Sequence, residues 1–472
     1  MESTAGNFKE NAGGALADEK LRAALARLSE GFPVKRREAA DRLPEFENLR
    51  DQARDIKQHV LANLDFYLEQ FEARVVESGG TVHWCRTAAE ARTTILRICR
   101  DAGAKTVTKG KSMIGEEIAI NEHLERHGIQ PVETDLGEYI IQLRHEAPSH
   151  IIAPAIHLSK EQVADTFRKS HPHLAPERSL GEPRALLEEA RDELRQKFIA
   201  ADVGLTGANM LIAETGSIAL VTNEGNADLT YALPKIHIAI ASLEKIVPTL
   251  EDATTILRVL ARSATGQDMS VYNTFCTGAK RPGDLDGPEE FHVVLLDNGR
   301  SKMLGGEFQE MLRCIRCGAC LNHCPIYKSI GGHAYGWVYS GPMGAVLIPN
   351  LIGMDEAGDL PNASTLCGKC EDVCPVRIPL PRMLRALRKQ QFDEEKTPRP
   401  ARWALKSWAF LAARPWLYRL GVAPVVSVLA ALGRRRGRFR RLLLAGGWTK
   451  YRDLPAPQGG TFVARWNRGE RP

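Results

Sequence analysis

No window of 18 consecutive apolar residues occurs in the chain, so no segment is expected to cross a bilayer as a helix. Met1 to Glu10 lack a basic segment ahead of an apolar core, so no secretory signal is expected, and the ten cysteines are read outside a disulfide context. The frame G-x4-G-K-[ST] is absent, which excludes a Walker A phosphate loop. No G-x-G-x-x-G opens a helix, which leaves a nicotinamide or flavin dinucleotide site unsupported. There is no H-E-x-x-H pair and no Ser/His/Asp order for nucleophilic hydrolysis. Acidic residues nearly vanish after residue 396. From Thr397 to Pro472 there are 16 Lys or Arg against Asp453 and Glu470, a net of +14, which leaves −9 for the rest of a chain whose total is +5.

What the chain does have is cysteine at close, regular spacing. Cys314, Cys317, Cys320 and Cys324 form C-x2-C-x2-C-x3-C-P, and Cys367, Cys370 and Cys374 form C-x2-C-x3-C-P. The first run has the spacing of bacterial ferredoxins, in which the fourth Cys serves the other cluster. A cubane cluster needs thiolates on separate corners, and a C-x2-C loop curls around it with backbone N–H groups turned to the sulfurs. Gly318 and Gly368 each follow a Cys and permit positive φ there. Pro325 and Pro375 bend the chain away after the last Cys of each run. This assigns Cys314, Cys317, Cys320 and Cys374 to one iron–sulfur cluster and Cys324, Cys367 and Cys370 to a second, both read as [4Fe-4S]. The second set is one thiolate short: Ser364 stands where the eighth Cys belongs. A hydroxyl or solvent ligand, a partner's ligand, or a three-iron cluster all satisfy that corner. Structural zinc fits poorly, because it needs four ligands per site and no proline after the last one. Cys85, Cys99 and Cys276 are scattered and read as buried free thiols.

Four regions are expected: helices over 1–78, an α/β domain over 79–303, an α-helical ferredoxin-type domain over 304–396, and a basic, Trp-rich region over 397–472. In the first, Ala17, Leu21, Ala24, Leu25 and Leu28 recur at helical steps until Gly31 and Pro33 end the helix. Leu49, Ala53, Ile56, Val60, Leu61 and Leu64 mark a longer one. In the second, Thr81 to Trp84, a helix over Ala88 to Ala102, and Thr106 to Thr108 give strand–helix–strand order and a largely parallel sheet. Further strands are expected at Ser149–Pro154, Met210–Ala213, Ser217–Thr222, Ile236–Ile240 and Phe291–Leu296. Loops at strand ends are where such sheets bind ligands. Three are polar and contain Gly: Lys109-Gly110-Lys111-Ser112, Glu214-Thr215-Gly216-Ser217, and Asn223-Glu224-Gly225-Asn226-Ala227-Asp228. Candidate ligand residues there are Lys109, Lys111, Ser112, Glu214, Thr215, Gly216, Asn223 and Glu224, for a carboxylate or phosphate; ordinary turn chemistry is the competing reading. His150, His157 and His237 read as core or turn histidines. The 42-residue insert between Cys324 and Cys367 carries His333, Tyr335, Trp337 and Tyr339, as cluster shield, partner contact or core. Met383 to Gln390 reads as a helix flanking the cluster domain.

The segments GLTGANMLIAETGSI (204–218), VTNEGNADL (221–229) and EEFHVVLLDNGR (289–300) resemble the lactate-utilisation domain, which is related in fold to the isomerase and CoA-transferase-like α/β group. Followed by the two cysteine runs, and ending in Tyr451 to Pro457, the order resembles the lactate utilisation protein B family across nearly the whole chain. The resemblance implies the iron–sulfur, electron-transfer subunit of a three-component system that oxidises L-lactate to pyruvate, with the other two subunits as partners and a carrier or quinone as electron acceptor. It implies no catalytic residue in the α/β domain. The alternative is an oxidoreductase in its own right, whose α/β domain holds the substrate and whose clusters export electrons. In the tail, the eleven-residue apolar run Val422 to Leu432 is too short to span a bilayer and precedes Arg434, Arg435, Arg436, Arg438, Arg440 and Arg441. Five of the seven Trp lie there: Trp403, Trp408, Trp416, Trp448 and Trp466. This suits docking on an acidic partner subunit first and the inner face of an anionic membrane second; beyond the Arg cluster nothing suggests nucleic acid. The expected location is the cytoplasm.

Overall fold

Ile236–Ser242 is buried at every position, as a parallel strand covered on both faces must be. It is the centre of the fold, described here from a computed structural model that covers residues 3–28, 30–442, 445–449 and 452–470. Numbered in chain order, the strands are β1 Thr81–Cys85, β2 Thr106–Lys109, β3 Gln130–Glu133, β4 Val203–Gly207, β5 Met210–Ile212, β6 Ser217–Thr222, β7 Ile236–Ser242, β8 Ile246–Val247, β9 Tyr272–Cys276 and β10 Glu290–Leu296. Six of them form a parallel sheet in the order β1-β10-β7-β4-β2-β3. Alternate residues serve opposite faces. Ile238, Ile240, Val294 and Leu296 pack with Ala91, Ile95 and Ile98 of the Ala88–Asp101 helix. Ala239, Ala241, Val293 and Leu295 pack with Leu68, Phe71 and Val75 of the Leu64–Glu77 helix.

Several expectations are revised. Met210–Ile212 and Ser217–Thr222 do form strands, but in a separate four-stranded sheet, β8-β5-β6-β9, in which β6 runs antiparallel to both neighbours. Ser149–Pro154 is not a strand. The amides of Ile152 and Ala153 donate to His150 Nδ1 at 3.0 and 3.1 Å, and the Ser149 amide donates to the Pro154 carbonyl. A side chain and a turn take the bonds that a ladder would need. Pro33 ends one helix but also occupies the first turn of the next, Phe32–Asp41, where its missing N–H costs nothing. The long N-terminal helix breaks at Asn63 into Phe46–Ala62 and Leu64–Glu77.

The cysteine-bearing stretch has short helices, among them Ala319–His323, Gly341–Ile352, Lys369–Asp372 and Leu380–Asp393. Phe8, Leu28, Phe46 and Leu49 from the N-terminal helices share one apolar core with Tyr327, Tyr335, Tyr339 and Met343. Tyr335, Trp337 and Tyr339 of the insert are therefore core, whereas His333 is exposed and bonds the Ala147 carbonyl at 2.7 Å. Residues to Lys389 form one compact unit, and Gln390–Pro472 forms another. The second contains the helices Arg399–Ala412 and Pro415–Gly433 and a two-stranded pair, Arg438–Phe439 with Leu454–Pro455. Pro415–Gly433 has 19 residues and is long and apolar enough to cross a membrane by length and composition. This corrects the eleven-residue estimate: the apolar surface extends back through Leu417 and Leu420, and Pro424 does not end the helix. Tyr451, in the expected terminal match, lies outside the described residues.

Candidate cluster chamber and adjoining cavity

Cys314, Cys317, Cys320 and Cys374 line one small cavity whose other walls, apart from Arg316, are apolar, including Met311, Met343, Val376 and Ile378. Backbone amides meet the sulfurs. Ile378 N–H donates to Cys374 Sγ at 3.4 Å. The amides of Ala319, Val376, Ile326 and Tyr327, Lys369, and Glu371 serve Cys317, Cys374, Cys324, Cys367 and Cys370 respectively. The two runs share a backbone signature. Arg316 and Gly318 flank Cys317 at φ +59° and +71°, and Leu366 and Gly368 flank Cys367 at +56° and +83°. Left-handed Arg and Leu are strained positions that persist where the surroundings dictate them.

Burial raises the thiol pKa values of Cys317, Cys320, Cys324 and Cys374 and pushes Cys370 up to about 12; the Lys369 amide lowers that of Cys367. Buried thiols become thiolates when a metal supplies the balancing charge. Cys324, Cys367 and Cys370 lie within electrostatic reach of one another, and Cys320 feels Cys370, so the two sets adjoin. All-thiol donors, an apolar wall and converging amides fit iron–sulfur clusters. Ser364 is half-buried, and its Oγ accepts from the Leu366 amide at 3.0 Å. Cys367 is exposed and receives a hydrogen bond from the Thr365 side chain.

The N-terminal helices reach this chamber. Arg50, 2% exposed, donates through Nη2 to the Cys374 carbonyl at 2.8 Å and also to the Asp372 carbonyl, while Arg36 Nη2 donates to the Val373 carbonyl at 3.0 Å. Sequence reasoning missed both. The available signal was spacing: Arg50 and Lys57 fall at helical steps from Phe46, Ala53 and Val60, on the apolar face. A buried ion network joins the chamber to the α/β sheet. Arg316, between two cysteines, pairs with Glu244 at 3.2 Å. Glu244 pairs with Arg300, and Arg300 pairs with Glu117 at 2.6 Å, which also accepts from Tyr339. Burial opposes the Glu244 charge, but Arg300 and Arg316 outweigh it and hold its pKa down to about 2.

The candidate loops separate. Lys109 is a buried structural cation paired with Glu116 and Glu133; burial opposes its charge, but those carboxylates outweigh it and raise its pKa. Glu214, Thr215 and Gly216 line neither the cysteine chamber nor the cavity at the sheet edge. Glu214 caps the amide of Leu250 at 3.1 Å, Thr215 and Ser217 bond each other, and Gly216 at φ +67° fits tightly over Arg74 and Val75. That loop is turn chemistry. Lys111, Ser112, Asn223 and Glu224 instead meet in a cavity of about 240 Å³ at the carboxyl edge of the parallel sheet. Lys111 Nζ donates to the Ile152 carbonyl at 2.9 Å, Ser112 Oγ caps the Gly115 amide, and Glu224 accepts from Leu136 N–H. Desolvation and Asp135 raise the Glu224 pKa. Asn226 of the same polar loop lines the cavity too, as do Asn209, Lys245 and Arg316, which were not among the candidate ligand residues. Ile151, Ile315 and Arg316 line both this cavity and the cysteine chamber. The histidines pack in the core: His150 bonds Asn322 at 2.9 Å, His237 bonds Thr206 at 2.8 Å, and His157 bonds Glu146 at 2.9 Å, while Nδ1 of His157 and of His237 is buried without a partner.

Comparison with known proteins agrees with this geometry. Residues 68–296 match the LUD domain family, and residues 310–378 match the 4Fe-4S dicluster domain family. Lactate utilization protein B of Lysinibacillus sphaericus (strain C3-41) is 43% identical over 464 residues, covering 98% of this chain and 97% of the relative. Its namesake in Bacillus subtilis (strain 168) is 43% identical, covering 96% and 95%, and that in Geobacillus kaustophilus (strain HTA426) is 45% identical, covering 95% and 94%. A crystal structure of a DUF162 family protein from Deinococcus radiodurans covers 49% of this chain and 98% of its own, at 18% identity and a TM-score of 0.26, too loose to carry fold detail. An α/β LUD domain in one compact unit with a ferredoxin-type cysteine domain, matched over nearly the full length, makes this chain an iron–sulfur member of the lactate utilization protein B family.

Proposed function

We propose that this chain is the electron-transfer subunit of an assembly that oxidises L-lactate to pyruvate, working with the two other components of a lactate utilisation system and passing electrons to a carrier or quinone. Oxidising lactate to pyruvate releases two electrons and two protons, and two bound iron–sulfur clusters supply one-electron exchange suited to that count. Cys314, Cys317, Cys320 and Cys374 hold one cluster; Cys324, Cys367 and Cys370 hold the other, with its fourth corner left to Ser364, solvent or a partner. The observation that carries the reading is the shared wall: Ile151, Ile315 and Arg316 separate the cysteine chamber from the sheet-edge cavity. Cys367 is exposed, and in this reading an acceptor approaches there. In this reading the protein works in the cytoplasm, and the basic unit with its exposed Trp403, Trp408 and Trp416 docks on an acidic partner or on the inner membrane face.

The same wall favours a second reading, in which the α/β domain itself holds the substrate. Reconstitution with the partner components separates the two. Cys320→Ser is expected to abolish lactate-driven acceptor reduction, and full activity in that variant would refute electron transfer through this chain. Lys111→Ala is expected to impair turnover only if the cavity is used.

A further inference from the structure

We propose that the sheet-edge cavity is a binding site for a small 2-hydroxy- or 2-oxo-carboxylate, with Lys245 as its counter-ion. This rests on the second reading above and deepens it. Lys245 lines the cavity and is only 9% exposed, and its ammonium makes no hydrogen bond or ion pair among the described residues. An unpaired ammonium on the wall of a cavity, its side chain otherwise buried, is partly desolvated and calls for an anion. Thr222 and Arg316 also line the cavity, and each keeps one buried polar atom without a partner, Oγ1 and Nε. An unpaired cation on the wall selects an anionic, acceptor-rich ligand such as a small carboxylate. The volume, about 240 Å³, lies below the range of drug-sized sites. Asp135 and Glu224 at the other side disfavour a multiply charged anion such as phosphate. The exposed Asn223 and Glu224 form the mouth; buried Lys245 and Arg316 form the floor, against the cysteine chamber.

The test uses the full chain, purified anaerobically with its iron. L-lactate, pyruvate, neutral lactamide and inorganic phosphate are titrated by calorimetry, and EPR of the dithionite-reduced protein is recorded with and without lactate. Lactate and pyruvate are expected to bind, lactamide and phosphate far more weakly, and lactate is expected to shift the EPR line shape. Lys245→Met is expected to weaken lactate about tenfold to a hundredfold, the scale of one charge-assisted hydrogen bond, and to leave iron content unchanged. Should that variant lose iron, the wild-type preference for lactate over lactamide and the EPR shift decide. A flat lactate titration by protein whose clusters still reduce overturns the inference and leaves the electron-carrier reading standing. Tighter binding of phosphate than of lactate, or lactate binding unchanged in iron-replete Lys245→Met, also overturns it. Lactate binding by a protein whose clusters do not reduce would instead sink the carrier reading alone.

Discussion

Arg50→Met is the sharpest probe of how the N-terminal helices serve the cysteine chamber. Arg50 is 2% exposed and donates to the carbonyls of Cys374 and Asp372. Methionine has similar length and fits the apolar face, but it leaves both carbonyls without this donor. A hydrogen bond from a charged group contributes about 1.5–3 kcal/mol; two such bonds, not fully additive, give a loss of about 3–5 kcal/mol, comparable to breaking a buried ion pair. Glu47 keeps Arg377 at 2.7 Å, so its carboxylate is not stranded. The loss is local to the second cysteine run, so cluster retention should suffer first. The assay is a urea titration of the holo-protein followed by visible cluster absorbance, with iron counted before and after. Arg54→Met on the same helix is the control, since Arg54 is half-exposed and, among the described residues, its ion pairs are to Asp51 and Asp55; it should change stability by less than about 0.5 kcal/mol. If Arg50→Met bleaches at the same urea concentration as Arg54→Met, the clamp has no energetic role and the reasoning fails.

Ser364→Cys restores the spacing of the first run in the second, so it should slow oxygen-driven bleaching and alter the EPR of the reduced protein; unchanged bleaching and spectra would show that the eighth corner is not at this position. His237 is fully buried against Thr206, and burial pushes its pKa down to about 3. Its folded value is depressed below an unfolded value of about 6.5, so its contribution is present above about pH 6.5 and is lost progressively as pH falls toward about 3, by about 1.4 kcal/mol per pH unit. His237→Gln should therefore flatten the fall in urea midpoint between about pH 6.5 and 5 relative to wild type; an equal slope in both proteins would contradict this.

The ferredoxin-type domain was legible because its pattern is local. A cluster fixes cysteine spacing, and the positive φ at Gly318 and Gly368 follows from that spacing. Strands β7 and β10 were legible as apolar runs, whereas β3, a four-residue strand containing Pro131, and β9, with its exposed Tyr272 and Phe275, carry no such pattern. Ser149–Pro154 misled because apolar residues pack as well in a turn as in a strand. The cavity was half legible: Lys111, Ser112, Asn223 and Glu224 sit in recognisable polar loops. Lys245 follows a buried strand, and Arg316 sits inside a cysteine motif that explains itself without it. Arg36 and Arg50 stayed hidden because basic residues on amphipathic helices usually face solvent, and the carbonyls that they meet are more than 300 residues away.

The central claim is that the seven clustered thiols hold two iron–sulfur clusters that change redox state. Anaerobic purification with iron and acid-labile sulfide counts, and EPR before and after dithionite, tests it directly. The account predicts about seven or eight iron with matching sulfide per chain, and reducible signals from two interacting centres. Zinc without labile sulfide, or clusters silent to dithionite, would contradict it.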